Sequence, residues 1–253
     1  ASPLPPPLPA VAWPFAGAAV AAGIAAGTED TDAWRCEGEH AILCGGEPLL
    51  QAGVIDWIAA LKAGGGRAVE VWTDGQIVAR RGAAERLRDA GLTDIGIILF
   101  GAGAAAHDFV AGVPGHFTAA IRGLRMARKA GLRTAVIAPI LRPTLRELPL
   151  LVQRSLAIGV GRFELLALPG PDRTKHGLLP HLAIAAPHIV TAIKAARASR
   201  RVARTWGVPH CLLGELATAG LDARALAPDI ASYFATNGAA ACQVCSFRPS
   251  CGG

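Results

Sequence analysis

Cysteine, aromatic residues and charge are all scarce in this chain of 253 residues, and each scarcity excludes something. Six Cys are too few to staple a chain of this length as a disulfide scaffold. Charged residues stand at 17% against 52% hydrophobic, a balance that folds rather than staying disordered. Aromatic residues make up 5%, and beside the basic run at 194–204, with Arg197, Arg200, Arg201 and Arg204, only Trp206 is aromatic. That run therefore reads as a solvated helical face ahead of a nucleic-acid surface, and Arg122, Arg125, Arg128 and Lys129 read the same way. Long apolar runs are missing too. Residues 11–27 are small and apolar, but Ala and Gly do not make the ~20 strongly apolar residues of a membrane span. Pro3, Pro5, Pro6, Pro7 and Pro9 stand where a signal peptide would be basic and then Leu-rich. The expectation is a cytoplasmic protein with no membrane partner. No Walker loop, Ser-x-Gly elbow or paired carboxylates are evident, and His40, His107, His116, His176, His181, His188 and His210 lie scattered, none paired with a second ligand at helical spacing.

What is present is a rhythm. Short β-branched or apolar runs at 41–44, 68–72, 95–100, 134–140 and 163–168, with a further one at 10–15, alternate with helical patterns at 49–63, 77–90, 116–130 and 145–158. A strand-to-strand spacing of about thirty residues predicts right-handed βαβ units and a parallel sheet. Gly91, Gly131 and Gly159 fall where helices end and a left-handed cap is wanted. About six units are too few for an eight-fold barrel, leaving a partial barrel or a doubly wound sheet. After Pro169, Gly170 and Pro171 the rhythm changes to one long predicted helix, 184–206, and then a loop-rich remainder. The expected division is 1–170 for the βα region, 171–206 for a closing helical segment and 207–253 for an extension.

That extension holds the densest chemistry. Cys242, Cys245 and Cys251 crowd together, where about 0.2 further cysteines would follow Cys242 by chance in nine positions and two do. With Cys211 they make four. Four thiolates on loops serve structural zinc and a 4Fe-4S cluster equally well, so the metal is open at this point.

A resemblance narrows the choice. Strand 41–44 runs into Gly45-Gly46-Glu47-Pro48 and a helix, which resembles the GGEP motif of the radical S-adenosylmethionine (SAM) family. Val71-Trp72-Thr73-Asp74-Gly75 resembles that family's third strand and turn, and His107-Asp108 with Gly112-Val113-Pro114-Gly115-His116-Phe117 resembles a passage common among its members. The likeness covers 41–168. It implies an α/β fold, a partial (β/α)6 TIM-like barrel with a small C-terminal cysteine-bearing extension, and SAM received by Gly45, Gly46, Glu47 and Pro48. Cys242-x2-Cys245-x5-Cys251 resembles the auxiliary-cluster segment of SPASM and twitch extensions, and Pro209-His210-Cys211 resembles the stretch that supplies an earlier ligand there. The resemblance implies one auxiliary 4Fe-4S cluster on Cys211, Cys242, Cys245 and Cys251. His210 is expected to be a solvated loop residue or to hydrogen-bond that cluster.

One element of the family is missing. Its radical chemistry needs a Cys-x3-Cys-x2-Cys loop after the first strand, and 13–27 contains no cysteine. Cys44 reads as core and Cys36 as a loop thiol of unassigned role. Without three thiolates there is no open iron to chelate SAM, and SAM binding at the GGEP turn is expected to be weak. Glu47 then reads as a structural carboxylate at the start of the helix beginning at Leu49. The leading expectation is a degenerate radical SAM-like protein, partner of a complete radical SAM enzyme or of a peptide substrate, which does not generate radicals alone. The alternatives are an enzyme using SAM or another ligand at the strand ends near Gly45, Thr73 and Arg142, and a metal-free interaction or nucleic-acid-binding module using the helix near Arg200.

Overall fold

The computed structural model describes residues 40–44, 47–168, 177–221, 240–248 and 251. The predicted strand at 10–15, Cys36, Gly45 and Gly46 lie outside them. The described strands are β1 (His40–Leu43), β2 (Ala68–Thr73), β3 (Asp94–Ile98), β4 (Arg133–Pro139), β5 (Arg162–Leu166), β6 (Val202–Trp206) and the two-residue β7 (Gly220–Leu221). They lie in one sheet in sequence order, every neighbouring pair parallel. Successive parallel strands joined by helices curl into a half-barrel, the α/β partial TIM-like fold that the resemblance implies and one of the two that the spacing leaves open.

The helices are α1 (Val54–Ala63), α2 (Ala83–Asp89), α3 (Ala104–Ala111), α4 (His116–Lys129), α5 (Leu148–Ile158) and α6 (Leu182–Ala198). Their apolar faces pack on one side of the sheet, where Ile58, Leu61, Leu124 and Ile193 meet Val69, Ile95, Val136 and Phe163. Gly91, Gly131 and Gly159 adopt φ of 110°, 89° and 88°, the left-handed turns that the sequence demanded before β3, β4 and β5.

Several elements depart from expectation. The helix predicted at 77–90 is helical only as α2, with turns over 77–82, and β7 falls in the stretch expected to be loop. The helix predicted at 49–63 is split into a 3-10 turn, Pro48–Leu50, and α1, which starts after Gly53. α3 was not predicted; its Ala-rich start carries no capping side chain to announce it. The long helix predicted to reach Trp206 ends at Ala198, and 202–206 is β6. The chain reverses through Arg200, which takes φ of 54° where a glycine would have signalled the stop. Arg204 is consequently not on the helix with Arg197.

The other face of the sheet lines the hollow of the half-barrel. Trp72, Ile98, Ile137 and Leu166 make its apolar part, with Cys44 buried beside them as predicted. Toward the strand starts the lining is charged. Glu70, fully buried, meets Arg162 and lies 2.9 Å from His40 Nε2. Arg133 donates to both Asp94 oxygens at 2.8 and 2.5 Å, and Arg162 Nε lies 2.9 Å from Glu164. Burial works against the Glu70 carboxylate, but His40 and Arg162 hold it below the usual range. At Glu164 burial wins and the carboxyl is raised despite Arg162. Two indoles are anchored on this layer, Trp72 Nε1 donating to Glu70 and Trp206 Nε1 to Glu164, both at 2.8 Å.

Candidate functional site

Barrels of this kind place their chemistry at the carboxyl ends of the strands, and there β1 and β2 are joined by one side chain. Glu47 caps the 3-10 turn, its Oε1 accepting from Leu49 N–H at 3.0 Å and from the Thr73 hydroxyl at 2.7 Å. Its Oε2 accepts from Asp74 N–H at 2.8 Å. The structural carboxylate expected at the start of this helix is thus present, and it also ties the turn to the end of β2. Pro48 is buried at the first position of the turn, where its missing N–H costs nothing.

Asp74 continues the chain of polar contacts. Its Oδ1 accepts from Gln76 N–H at 2.8 Å, and its Oδ2 faces His116 Nε2 at 3.4 Å. His116 Nδ1 lies 3.0 Å from His107 Nε2, and Phe100 N–H donates to His107 Nδ1 at 3.1 Å. These contacts assign the tautomers. A backbone N–H can only donate, so His107 Nδ1 carries no proton; its Nε2–H therefore donates to His116 Nδ1, and the His116 proton sits on Nε2, toward Asp74. Asp108 keeps the α3–α4 connection in place, accepting from Gly115 and Phe117 N–H at 2.7 Å each.

Burial pushes the Glu47 carboxyl up to about 7, with the Asp74 charge adding to the shift. Burial also opposes the Asp74 carboxylate, yet the His116 hydrogen bond and the Gln76 N–H keep it low. His107 is driven down to about 4 by burial and then by His116, so its imidazole is neutral near pH 7. A carboxyl that titrates near neutrality beside an ionised one is able to give or take a proton in the physiological range.

The pairing of His107 with His116 is not announced by helical spacing. Their separation of nine residues spans two helices. The available signal was the connection between them, where Gly112 and Gly115 take φ of 70° and 84° and fold α3 back on α4. Arg142, proposed near the strand ends, is exposed after β4, its N–H bonded to Leu178 O at 2.7 Å.

At the other candidate site, Cys242, Cys245 and Cys251 are half-buried and Cys211 is exposed. Cys245 N–H closes a turn on Cys242 O at 3.3 Å. The Phe247 ring meets the His210 ring edge-on at 5.3 Å, which seats this segment against the turn carrying Cys211. His210 is not a solvated loop residue: it is 6% exposed, and among the described residues neither ring nitrogen has a hydrogen-bond partner. Four cysteines and a buried imidazole without a hydrogen-bond partner are donor types suited to zinc or iron–sulfur. Among the described residues, however, no three His, Cys, Asp or Glu side chains converge as a metal site.

No family model matches the chain. It is 32% identical over 107 residues to the AdoMet-dependent heme synthase of Methanosarcina barkeri, a match covering 42% of this chain and 30% of that protein. It is 30% identical over 108 residues to the Fe-coproporphyrin III synthase of the same organism, covering 43% of this chain and 26% of that protein. The chain thus spans less than a third of the length of these relatives. Among solved structures, Streptococcus suis SuiB bound to S-adenosylmethionine aligns at a TM-score of 0.55 with 13% identity, over 66% of this chain and 39% of that one. Native anSMEcpe with bound AdoMet and Kp18Cys peptide aligns at 0.58 with 11% identity, over 85% of this chain and 75% of that one. At such identities the structures show the fold alone, a partial barrel with parallel strands. The likeness in sequence to the two synthases is confined to about 107 residues of this chain, and the likeness in structure is one of fold.

Proposed function

We propose that the chain is a radical SAM-like iron–sulfur protein that has lost its own radical-generating cluster and serves as partner subunit to a complete radical SAM enzyme, in peptide or natural-product modification. The observation that carries this reading is the distribution of thiols: residues 13–27, where the family's cluster loop would fall, hold none and 1–39 hold one, Cys36, whereas 242–251 holds three. Three thiolates are the minimum for a cluster with an open iron, and one is not enough. Glu47 supports the same reading, because its hydrogen bonds to Leu49, Thr73 and Asp74 give the GGEP turn a reason to persist that does not involve SAM. Cys242, Cys245, Cys251 and Cys211 would hold the auxiliary 4Fe-4S cluster, whose contribution is an electron-relay site. His210 would lie at its edge.

Two measurements test this. Anaerobically reconstituted protein is expected to carry iron and sulfide with a charge-transfer band near the visible, both lost in a Cys242→Ala, Cys245→Ala variant; colourless, iron-free protein would refute the cluster. Incubation of the chain alone with SAM and a reductant is expected to yield no 5′-deoxyadenosine, and production above background would refute the loss of radical chemistry.

A second reading, an enzyme that binds SAM or another ligand at the strand ends and uses acid–base chemistry, is favoured by the Glu47, Asp74, His116 and His107 array. A turnover that disappears in Glu47→Gln but survives the double cysteine variant would select it.

A further inference from the structure

We propose that the exposed face of α4, with the two hollows beside Arg128, is a docking site for an acidic segment of a partner protein. The inference stands whether or not the cysteine tail holds a cluster.

The basicity of this chain is local. Between Asp108 and Glu147 there is no carboxylate, and there are seven cations: Arg122, Arg125, Arg128, Lys129, Arg133, Arg142 and Arg146. The whole chain is at +6, so everything outside 109–146 sums to 6 − 7 = −1. Arg133 is neutralised by Asp94, and Arg142 and Arg146 follow β4 at the opposite end of the barrel. The other four are all on α4 and all exposed. Their spacing of three and four residues draws them into one stripe. Among the described residues none of the four is in an ion pair.

The helix itself does not call for this stripe. Arg128 and Lys129, in the last turn, complement the helix dipole. Arg122 and Arg125 lie further in. Arg122 with Arg125, and Arg125 with Arg128 and Lys129, are like-charged neighbours one turn apart, an arrangement that weakens a helix left uncovered. An anion laid along the stripe reverses that repulsion.

The stripe is also shaped. Arg128 Nη1 donates to Ile158 O at 3.1 Å, and its guanidinium lies on Gly159, where a Cβ would come within 2.6 Å of Arg128 Cζ. A tethered guanidinium loses less freedom on binding than a free one. It stands between two hollows of about 310 Å³ each. One is lined by Arg125, Arg128, Lys129 and Ile158, with no carboxylate; the other by Arg128, Arg133, Arg162 and Thr134, where Asp94 is already bonded to Arg133. Both are at the small end of ligand pockets, a size for single acidic side chains. From Arg122 to Lys129 the stripe runs only ~10 Å at the helical rise. Phe117, the aromatic residue of α4, packs on the core and offers no face to a base. Separate hollows without a stacking platform suit spaced carboxylates better than a continuous phosphate backbone. The site lies at the strand starts, so a partner docked there leaves the Glu47 end free.

The test uses the full chain and fluorescein-labelled octaglutamate, followed by anisotropy at low and high salt. Wild type is expected to bind in a salt-dependent manner. Arg125→Glu, Arg128→Glu should weaken binding by about tenfold or more, the milder Arg125→Gln, Arg128→Gln pair by less, and Arg200→Glu, Arg201→Glu not at all. Circular dichroism confirms that each variant is folded, and the glutamine pair decides if the glutamate pair is not. No binding to octaglutamate, or binding indifferent to both α4 pairs, overturns the proposal. So does a single-stranded oligonucleotide of equal charge that binds more tightly through the same residues, which would make the face a nucleic-acid site.

Discussion

Glu47 and His107 belong to one polar array but are shifted in opposite directions, and this makes a sharp prediction about stability and pH. Glu47 rises from 4.5 to about 7 on folding, so the folded state holds its proton more tightly than the unfolded one. Its contribution is full below pH 4.5 and is lost as pH climbs through 7, a fall of ~3 kcal/mol at about 1.4 kcal/mol per pH step. His107 drops from 6.5 to about 4. The unfolded chain then binds the extra proton between those values, so this contribution is absent at pH 4 and grows by ~3 kcal/mol as pH rises to 6.5. In wild type the two nearly cancel between pH 4.5 and 6.5. Single substitutions separate them. Glu47→Gln cannot ionise, and His107→Asn keeps an acceptor for Phe100 N–H without a titrating ring. Urea unfolding at intervals from pH 4.5 to 7.5 gives each variant's stability minus that of wild type, a difference from which Glu164 and the other titrating groups drop out. The Glu47→Gln difference is expected to climb with pH by ~3 kcal/mol and the His107→Asn difference to descend by a similar amount. If both differences stay level within ~0.5 kcal/mol, the size of an ordinary surface substitution, the burial argument for this array is wrong.

Three further outcomes follow from packing and backbone geometry. Gly96→Ala places a Cβ 2.7 Å from Ile137 and from the Trp72 ring inside the hollow, and overpacking of that kind should lower unfolding stability by ~1–3 kcal/mol in urea titrations. Arg162→Leu takes the guanidinium from buried Glu70 and leaves it His40 and the Trp72 N–H, and a loss of ~3–5 kcal/mol is expected; an unchanged midpoint would show that the ion pair contributes nothing. Arg200→Gly relieves a left-handed residue and should raise the thermal midpoint, with a gain of ~1 kcal/mol measured by calorimetry.

The parallel fold was legible because its evidence repeats. Each of Val69, Ile95, Val136 and Phe163 sits in a short apolar run, and Gly91, Gly131 and Gly159 punctuate them at matching places. β6 was hidden because its start lacks that punctuation: Arg200 performs the glycine's turn, and the arginines around it read as one helical face. At the site, Glu47 was legible as a cap because a cap is a local contact. The His107–His116 contact was not, since it depends on how two helices meet across Gly112 and Gly115, which no single periodicity encodes. The stripe on α4 is visible in the sequence as a basic helical face; the hollows beside Arg128 arise from α5 and the start of β5, which sequence neighbours do not reveal.

The charged layer at the strand starts reaches the apolar end of the hollow through two indoles. Glu70 holds the Trp72 indole and Glu164 holds that of Trp206, each through its ring N–H. Both rings are therefore hung from below, like two shutters on a shared frame. Turning either one means breaking its bond to a carboxylate, so the shape of the apolar end is set by charges at the floor.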